Sequence, residues 1–250
     1  MIPQWKIAAL GALGGAVLSV LVVFGSAAVG LFPHKVDGPQ LRAYLLAHPF
    51  LVQDMMAQAQ VDQDAAAGRA QQAGLRAVGL KAFFDPKVAF VTGPVNAKAT
   101  MVEFFDYNCV HCRNTLPALR KYYEAHRGDT RFSFIEFPVF GEMSVAAARA
   151  AIAARKQPDK YVAFSFAMMS ETSAIDSNQI FVDAKAAGLD IPKLIEDMKD
   201  PQIDKTIKSA HALAMRLHID GTPTFIFNGR VRAGELDSDG LRDVMAGKDI

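Results

Sequence analysis

A chain of 250 residues, 51% of them hydrophobic, has enough apolar material for one sizeable core plus accessory segments. Its formal net charge of +1, without a block of like charge, excludes nucleic acid as a main partner. No internal repeat is present, and no low-complexity tract beyond Ala-rich helical stretches.

The first predicted element is an apolar run at residues 7–32, with Lys6 before it and His34-Lys35 after it. About 20 apolar residues cross a bilayer as a helix. The run is longer than the roughly 7–15 residues of a signal-peptide core. A transmembrane anchor with residues 1–6 in the cytoplasm is the favoured expectation. A signal sequence cut near Ser26-Ala27-Ala28 is the alternative. Gly11 and Gly15 form a GxxxG pair of the kind found where membrane helices meet. Both readings send the remaining chain out of the cytoplasm, where disulfides persist.

Residues 38–80 are predicted to be helical. Leu41, Leu45, Leu46, Phe50, Leu51, Met55 and Met56 make a broad apolar side, and Pro49 suits the first turn of a second helix. The Ala/Gln/Asp-rich stretch 58–72 predicts an exposed helix. The region is either a stalk holding the rest away from a membrane or a surface for self-association.

A domain is expected over residues 83–250. Residues 100–105 (TMVEFF) predict a buried strand that runs into the pair Cys109-Val110-His111-Cys112. A helix follows from Cys109, with Pro117 inside it, and ends near Gly128-Asp129. Residues 131–139 predict a second strand, with Phe132, Phe134 and Glu136 on one face. Strand, helix, strand at this spacing is a βαβ unit. Residues 144–217 predict about five helices, punctuated by Pro158, Gly188, Pro192 and Pro201. Strands at 224–228 and 230–233 flank Asn228-Gly229, a type I′ hairpin signal. A last helix to Met245 is capped by Asp237 or Ser238. The fold class is therefore α/β with an all-helical insertion.

The two cysteines are the only ones in the chain. They supply two of the four ligands a zinc site needs, and the histidines show no H-x₃₋₅-H spacing. A structural bridge across so small a loop gains little entropy. A redox pair fits the position. A thiol at a helix start faces unpaired N–H groups and the positive end of the helix dipole, which favour the thiolate. Cys112, one turn on, can attack a mixed disulfide formed at Cys109. His111 offers a nearby cation. Pro223, in Gly-Thr-Pro-Thr before a strand, is either cis or an ordinary trans proline. Thr222 can offer its backbone edge to a peptide. Glu103, within an apolar strand, is either a buried carboxyl of raised pKa or a residue facing solvent.

The chain resembles the DsbA-like thiol:disulfide oxidoreductases of the bacterial envelope. The motifs VEFFDYNCVHCR and GTPTFIFNG, with the helical block between them, carry the likeness from about Leu41 onward. The stretch LRAYLLAHPFLVQDMM is similar to the helix of a subgroup whose stalks oligomerise. The resemblance implies a thioredoxin-like fold with a helical insertion, and no cofactor or metal. It implies an exposed nucleophile at Cys109, a buried resolving Cys112, a cis Pro223 against the pair and a buried acid at Glu103. It also implies a His111 that favours oxidation. Val110 stands where proline is common, and Thr222 where valine is found, so potential and substrate handling stay open. The implied partners are exported cysteine-containing proteins, a membrane or soluble redox partner, and further copies of the chain. Three alternatives remain: a stalk-type isomerase, a scaffold that binds client proteins, and a copper-handling protein using Cys109, Cys112 and His111.

Overall fold

The computed structural model describes residues 37–248. The predicted anchor at 7–32, the segment 1–6 and the GxxxG pair lie outside the described residues. Among the described residues, no helix is long and apolar enough to cross a membrane.

Two compact units divide between Asp62 and Gln63. In the first, helix α1 spans Gly38–Ala47, and helix α2, Pro49–Val78, begins with Pro49 at its first turn. Leu41, Tyr44, Leu46, Phe50, Met55 and Met56 are all exposed there. The second unit takes in the later turns of α2. Leu75 is buried, and a Cβ on Gly74 would sit 2.4 Å from the Arg216 carbonyl oxygen. Only glycine permits that backbone approach. The sequence pattern starts the domain at 83, whereas packing starts it twenty residues earlier because the end of α2 carries a core residue.

After a 3₁₀ turn at Leu80–Phe84 the strands and helices alternate. Strand β1 is Phe90–Thr92, β2 Ala99–Phe105, α3 Val110–His126 and β3 Thr130–Glu136. Five helices follow: α4 Glu142–Ala154, α5 Pro158–Met169, α6 Ser177–Ala186, α7 Ile191–Asp197 and α8 Gln202–Arg216. The chain closes with β4 Thr224–Phe227, β5 Arg230–Ala233 and α9 Ser238–Met245. The sheet order is β1-β3-β2-β4-β5, with β2 and β3 parallel and the other pairs antiparallel. Asn228 and Gly229 both have positive φ, as a type I′ turn demands, and Asp237 caps α9 by accepting from the Gly240 N–H at 2.7 Å.

The sheet is covered on both faces. Met101, Phe105, Phe132, Phe134, Phe225 and Phe227 share one core with α3, α4, α5 and α9. Val102, Phe104, Ile135 and Ile226 share the other with Leu75, Phe83 and Phe84, and with Ala210, Leu213 and Ala214 of α8. The two-residue alternation of side chains along each strand produces this division. It also corrects the reading of α8. This helix, placed by its sequence within the insertion, forms part of the layer beneath the sheet.

Two further differences have local causes. Strand β3 ends at Glu136 rather than 139, because Phe137 donates the last ladder bond to Phe105 and Pro138 has no N–H. Strand β1 was not expected, since three residues are too few to show a period. Glu136 lies on the same face as Phe132 and Phe134. It is buried, ion-paired with Arg155, and accepts the Tyr161 hydroxyl at 2.6 Å.

Candidate active site

The site forms where β2 gives way to α3. Asp106, just past the strand, is buried, and its carboxylate works as a staple. One oxygen accepts the Asn108 N–H at 2.7 Å; the other accepts Val139 at 2.7 Å and Phe140 at 3.1 Å. Asn108 extends the framework by accepting from Ile175 N–H at 2.8 Å and from the Arg113 guanidinium at 3.0 Å. The loop before the cysteine is thereby tied to the β3–α4 connection and to the segment before α6. Asp106→Ala strands three donors. It is expected to cost about 3 kcal/mol of stability, read as a lower urea midpoint; an unchanged midpoint would refute the staple.

Cys109 is the N-cap of α3, and its sulfur accepts from the Cys112 N–H at 3.4 Å. As a thiol it donates to the Thr222 carbonyl oxygen at 3.2 Å. Its pKa is lowered to about 6. The largest cause is a hydrogen bond from the Cys112 thiol, which outweighs the opposing effect of burial. The Thr222 side chain and the N–H groups of Cys112 and His111 lower it further. Cys112 goes the other way. Burial pushes its thiol far up, and the bond it gives to Cys109 and the nearby Glu103 add to this. Both cysteines are free thiols.

The expectation of an exposed nucleophile is corrected: Cys109 is 1% exposed. Its N-cap position turns the sulfur inward, under the Thr222 carbonyl and over the first turn of α3. Val110 and His111 are the residues beside it that face solvent. The Thr222–Pro223 bond is cis. It precedes β4, which brings Thr222 to the sulfur from 113 residues away.

Glu103 is 3% exposed, and its pKa is raised to about 8, first by burial and then by the charge of Cys109. The solvent-facing alternative fails because β2 is a central strand with both faces covered. Glu103 lies on the same strand face as Met101 and Phe105, two residues away on either side, hence points to the side where α3 packs. Among the described residues, no three His, Cys, Asp or Glu side chains are grouped as a metal ion would require, and His111 is engaged elsewhere. Its Nδ1 lies 3.0 Å from a Glu235 oxygen, and this bond holds the imidazole above its ordinary pKa.

Residues 87–246 match the thioredoxin family model. The chain belongs to the thioredoxin family. This family member is 35% identical to a thioredoxin-like oxidoreductase from Silicibacter pomeroyi DSS-3, with a TM-score of 0.62 over 68% of this chain and 96% of that one. It is 25% identical over 158 residues to the probable disulfide bond formation protein D of Bacillus anthracis, covering 58% of this chain and 72% of that protein. It is also 27% identical over 154 residues to the Na⁺/H⁺ antiporter NhaA of Herminiimonas arsenicoxydans. That match covers 62% of this chain but spans only 24% of the antiporter's length. Within the thioredoxin family the chain is a thiol:disulfide oxidoreductase.

Sequence reasoning did not single out Asp106, Asn108 or Glu235. For Asp106 a local signal exists, since an Asp whose side chain accepts the N–H two residues on is an Asx turn. For Glu235 none exists, because its partner His111 is 124 residues away.

Proposed function

We propose that this chain is a membrane-tethered, periplasm-facing enzyme that exchanges disulfides with cysteines of exported proteins. The unequal cysteine pair carries the reading: one sulfur is held as thiolate near pH 6, and its neighbour is held as thiol. In the oxidising direction a substrate thiolate attacks the Cys109 sulfur of the Cys109–Cys112 disulfide. That S–S bond breaks, and Cys112 leaves as a thiolate and takes up a proton. Glu103, protonated at neutral pH, is a nearby source of it. A second substrate thiolate then attacks the substrate sulfur of the mixed disulfide, and Cys109 leaves as the stabilised thiolate. Two electrons have passed to the enzyme, and a membrane or soluble redox partner must remove them.

Several features support the finer reading. The exposed Val110, Val139 and Phe140 border the site with apolar surface for an unfolded client, and Thr222 offers backbone to it. The apolar run at 7–32 supports membrane attachment, or release to the periplasm if it is cleaved. One observation favours the isomerase alternative. The exposed Leu, Phe and Met side chains of α1 and the start of α2 suit burial against further copies of the chain. Two active sites in one assembly suit reshuffling of wrong bridges.

Trapping tests the reading. A Cys112→Ala variant is expected to accumulate mixed disulfides through Cys109 with exported proteins in the envelope. Finding no covalent adduct would sink it. Finding clients caught mainly from already bridged, misfolded forms would assign isomerisation. A Cys109→Ser variant with full biological function would instead favour the scaffold reading, and stoichiometric copper binding without exchange activity the copper reading.

A further inference from the structure

Glu235 lies in the turn between β5 and α9, far in sequence from the cysteines. One of its carboxylate oxygens takes two hydrogen bonds from the first turns of α3: His111 Nδ1 at 3.0 Å and Asn114 Nδ2 at 3.0 Å. A carboxylate oxygen only accepts, so His111 Nδ1 carries the proton. The turn itself is bolted on both sides. Gly234, at φ 94, donates to the Pro223 carbonyl at 2.9 Å, and Leu236 donates to the buried Thr115 hydroxyl at 3.1 Å. Thr115 in turn donates to the His111 carbonyl at 3.0 Å. The Glu235 backbone is therefore fixed between the proline loop and α3, although its side chain is exposed.

We propose that Glu235 is a positioning residue for the exchange reaction, which holds the His111 ring as an oriented cation at the mouth of the Cys109 site. This rests on the exchange chemistry proposed above. The charged groups acting on His111 are Glu235 and the Cys109 thiolate. Those acting on Cys109 are His111 and, from β2 below, Glu103; Cys112 and Thr222 act on it as neutral hydrogen-bond partners. The Arg113 guanidinium is turned away, to Tyr107 and Asn108. Glu235 is itself an anion, and an anion alone would disfavour a thiolate. Its effect on Cys109 is favourable because the charge it secures, on the residue after next, interacts with the Cys109 thiolate, whereas the charge that acts on Glu235 itself comes from His111. Asn114 shares the carboxylate and keeps it aimed at the ring.

A two-residue cycle on the full chain tests this, with Glu235→Gln, His111→Asn and the double variant. Proton NMR is used to titrate the His111 ring, and ultraviolet absorbance to titrate Cys109. Glu235→Gln is expected to lower the His111 pKa and to raise that of Cys109. It should also shift the equilibrium with glutathione toward the protein disulfide by about two- to threefold, the size of an exposed charge interaction. In the His111→Asn background the same change is expected to leave Cys109 where it was or to lower it. Two results would overturn the proposal: an unmoved His111 in Glu235→Gln, or an equal rise of Cys109 with His111 absent. A wild-type Cys109 that titrates as an ordinary thiol would be a different failure, that of the exchange reading itself.

Discussion

Glu103→Gln is expected to stabilise the reduced protein by about 3 kcal/mol at pH 7, and to remove most of its loss of stability between pH 4.5 and 8. The folded pKa near 8 lies above the ordinary 4.5, so between those values the folded chain keeps a proton that the unfolded chain has released. Each added pH unit in that window then favours unfolding by about 1.4 kcal/mol. Below 4.5 both states are protonated and above 8 both are ionised, so the slope vanishes at either end. Glutamine is the same shape and cannot ionise. Urea midpoints of both forms from pH 4 to 8 check this. The two curves should converge toward a constant offset at the acid end. Parallel curves across the whole range would show that Glu103 is not buried as a neutral acid. The effect should be smaller in the disulfide form, where no Cys109 thiolate adds to the burial of the carboxyl.

The second large effect concerns Cys109. Alkylation of the reduced protein is expected to follow a titration near pH 6, with thiolate exceeding thiol about tenfold at pH 7. Cys112, buried and held protonated, should stay unreactive while the fold is intact. The sign for stability follows. A thiol with depressed pKa stabilises the folded, reduced chain fully above its ordinary 9.0, and this is lost as pH falls through about 6. The disulfide form has no such contribution, so the margin by which the pair is expected to out-oxidise an ordinary dithiol should shrink in acid. The first-ranked cause of the depression is the Cys112 thiol. Cys112→Ala should therefore move the Cys109 midpoint upward by a unit or so, roughly the worth of one charge-assisted hydrogen bond. Cys109→Ser should reduce exchange to the uncatalysed background. An alkylation profile with a midpoint near 9 in the wild type would contradict this account.

These expectations draw unequally on sequence and structure. The β-branched and aromatic residues of the run 100–105 were enough to announce a strand. They were not enough to say whether Glu103 meets water. That depends on β2 having β3 on one side, β4 on the other and helices over both faces. Leu75 shows the same limit. In its own helix nothing local separates it from the exposed Leu51, Met55 and Met56; it is core because the fold packs it with Phe83, Leu213 and Ile226. Likewise α8 has a strong apolar side, yet nothing local says which face of the sheet it covers.

What the chain determined by itself is what a few neighbouring residues can enforce. The cysteine pair sits where an extended run turns helical, so the N-cap thiol and its unpaired N–H partners follow from local geometry. Asn228-Gly229 sets its hairpin because both positions tolerate positive φ. What only the tertiary structure decided are the contacts that close large loops: Thr222 over the Cys109 sulfur, and Glu235 against His111. Such contacts exist only after the sheet has ordered its strands, because the entropy of closing a hundred-residue loop is met by the whole core and not by the pair that touches.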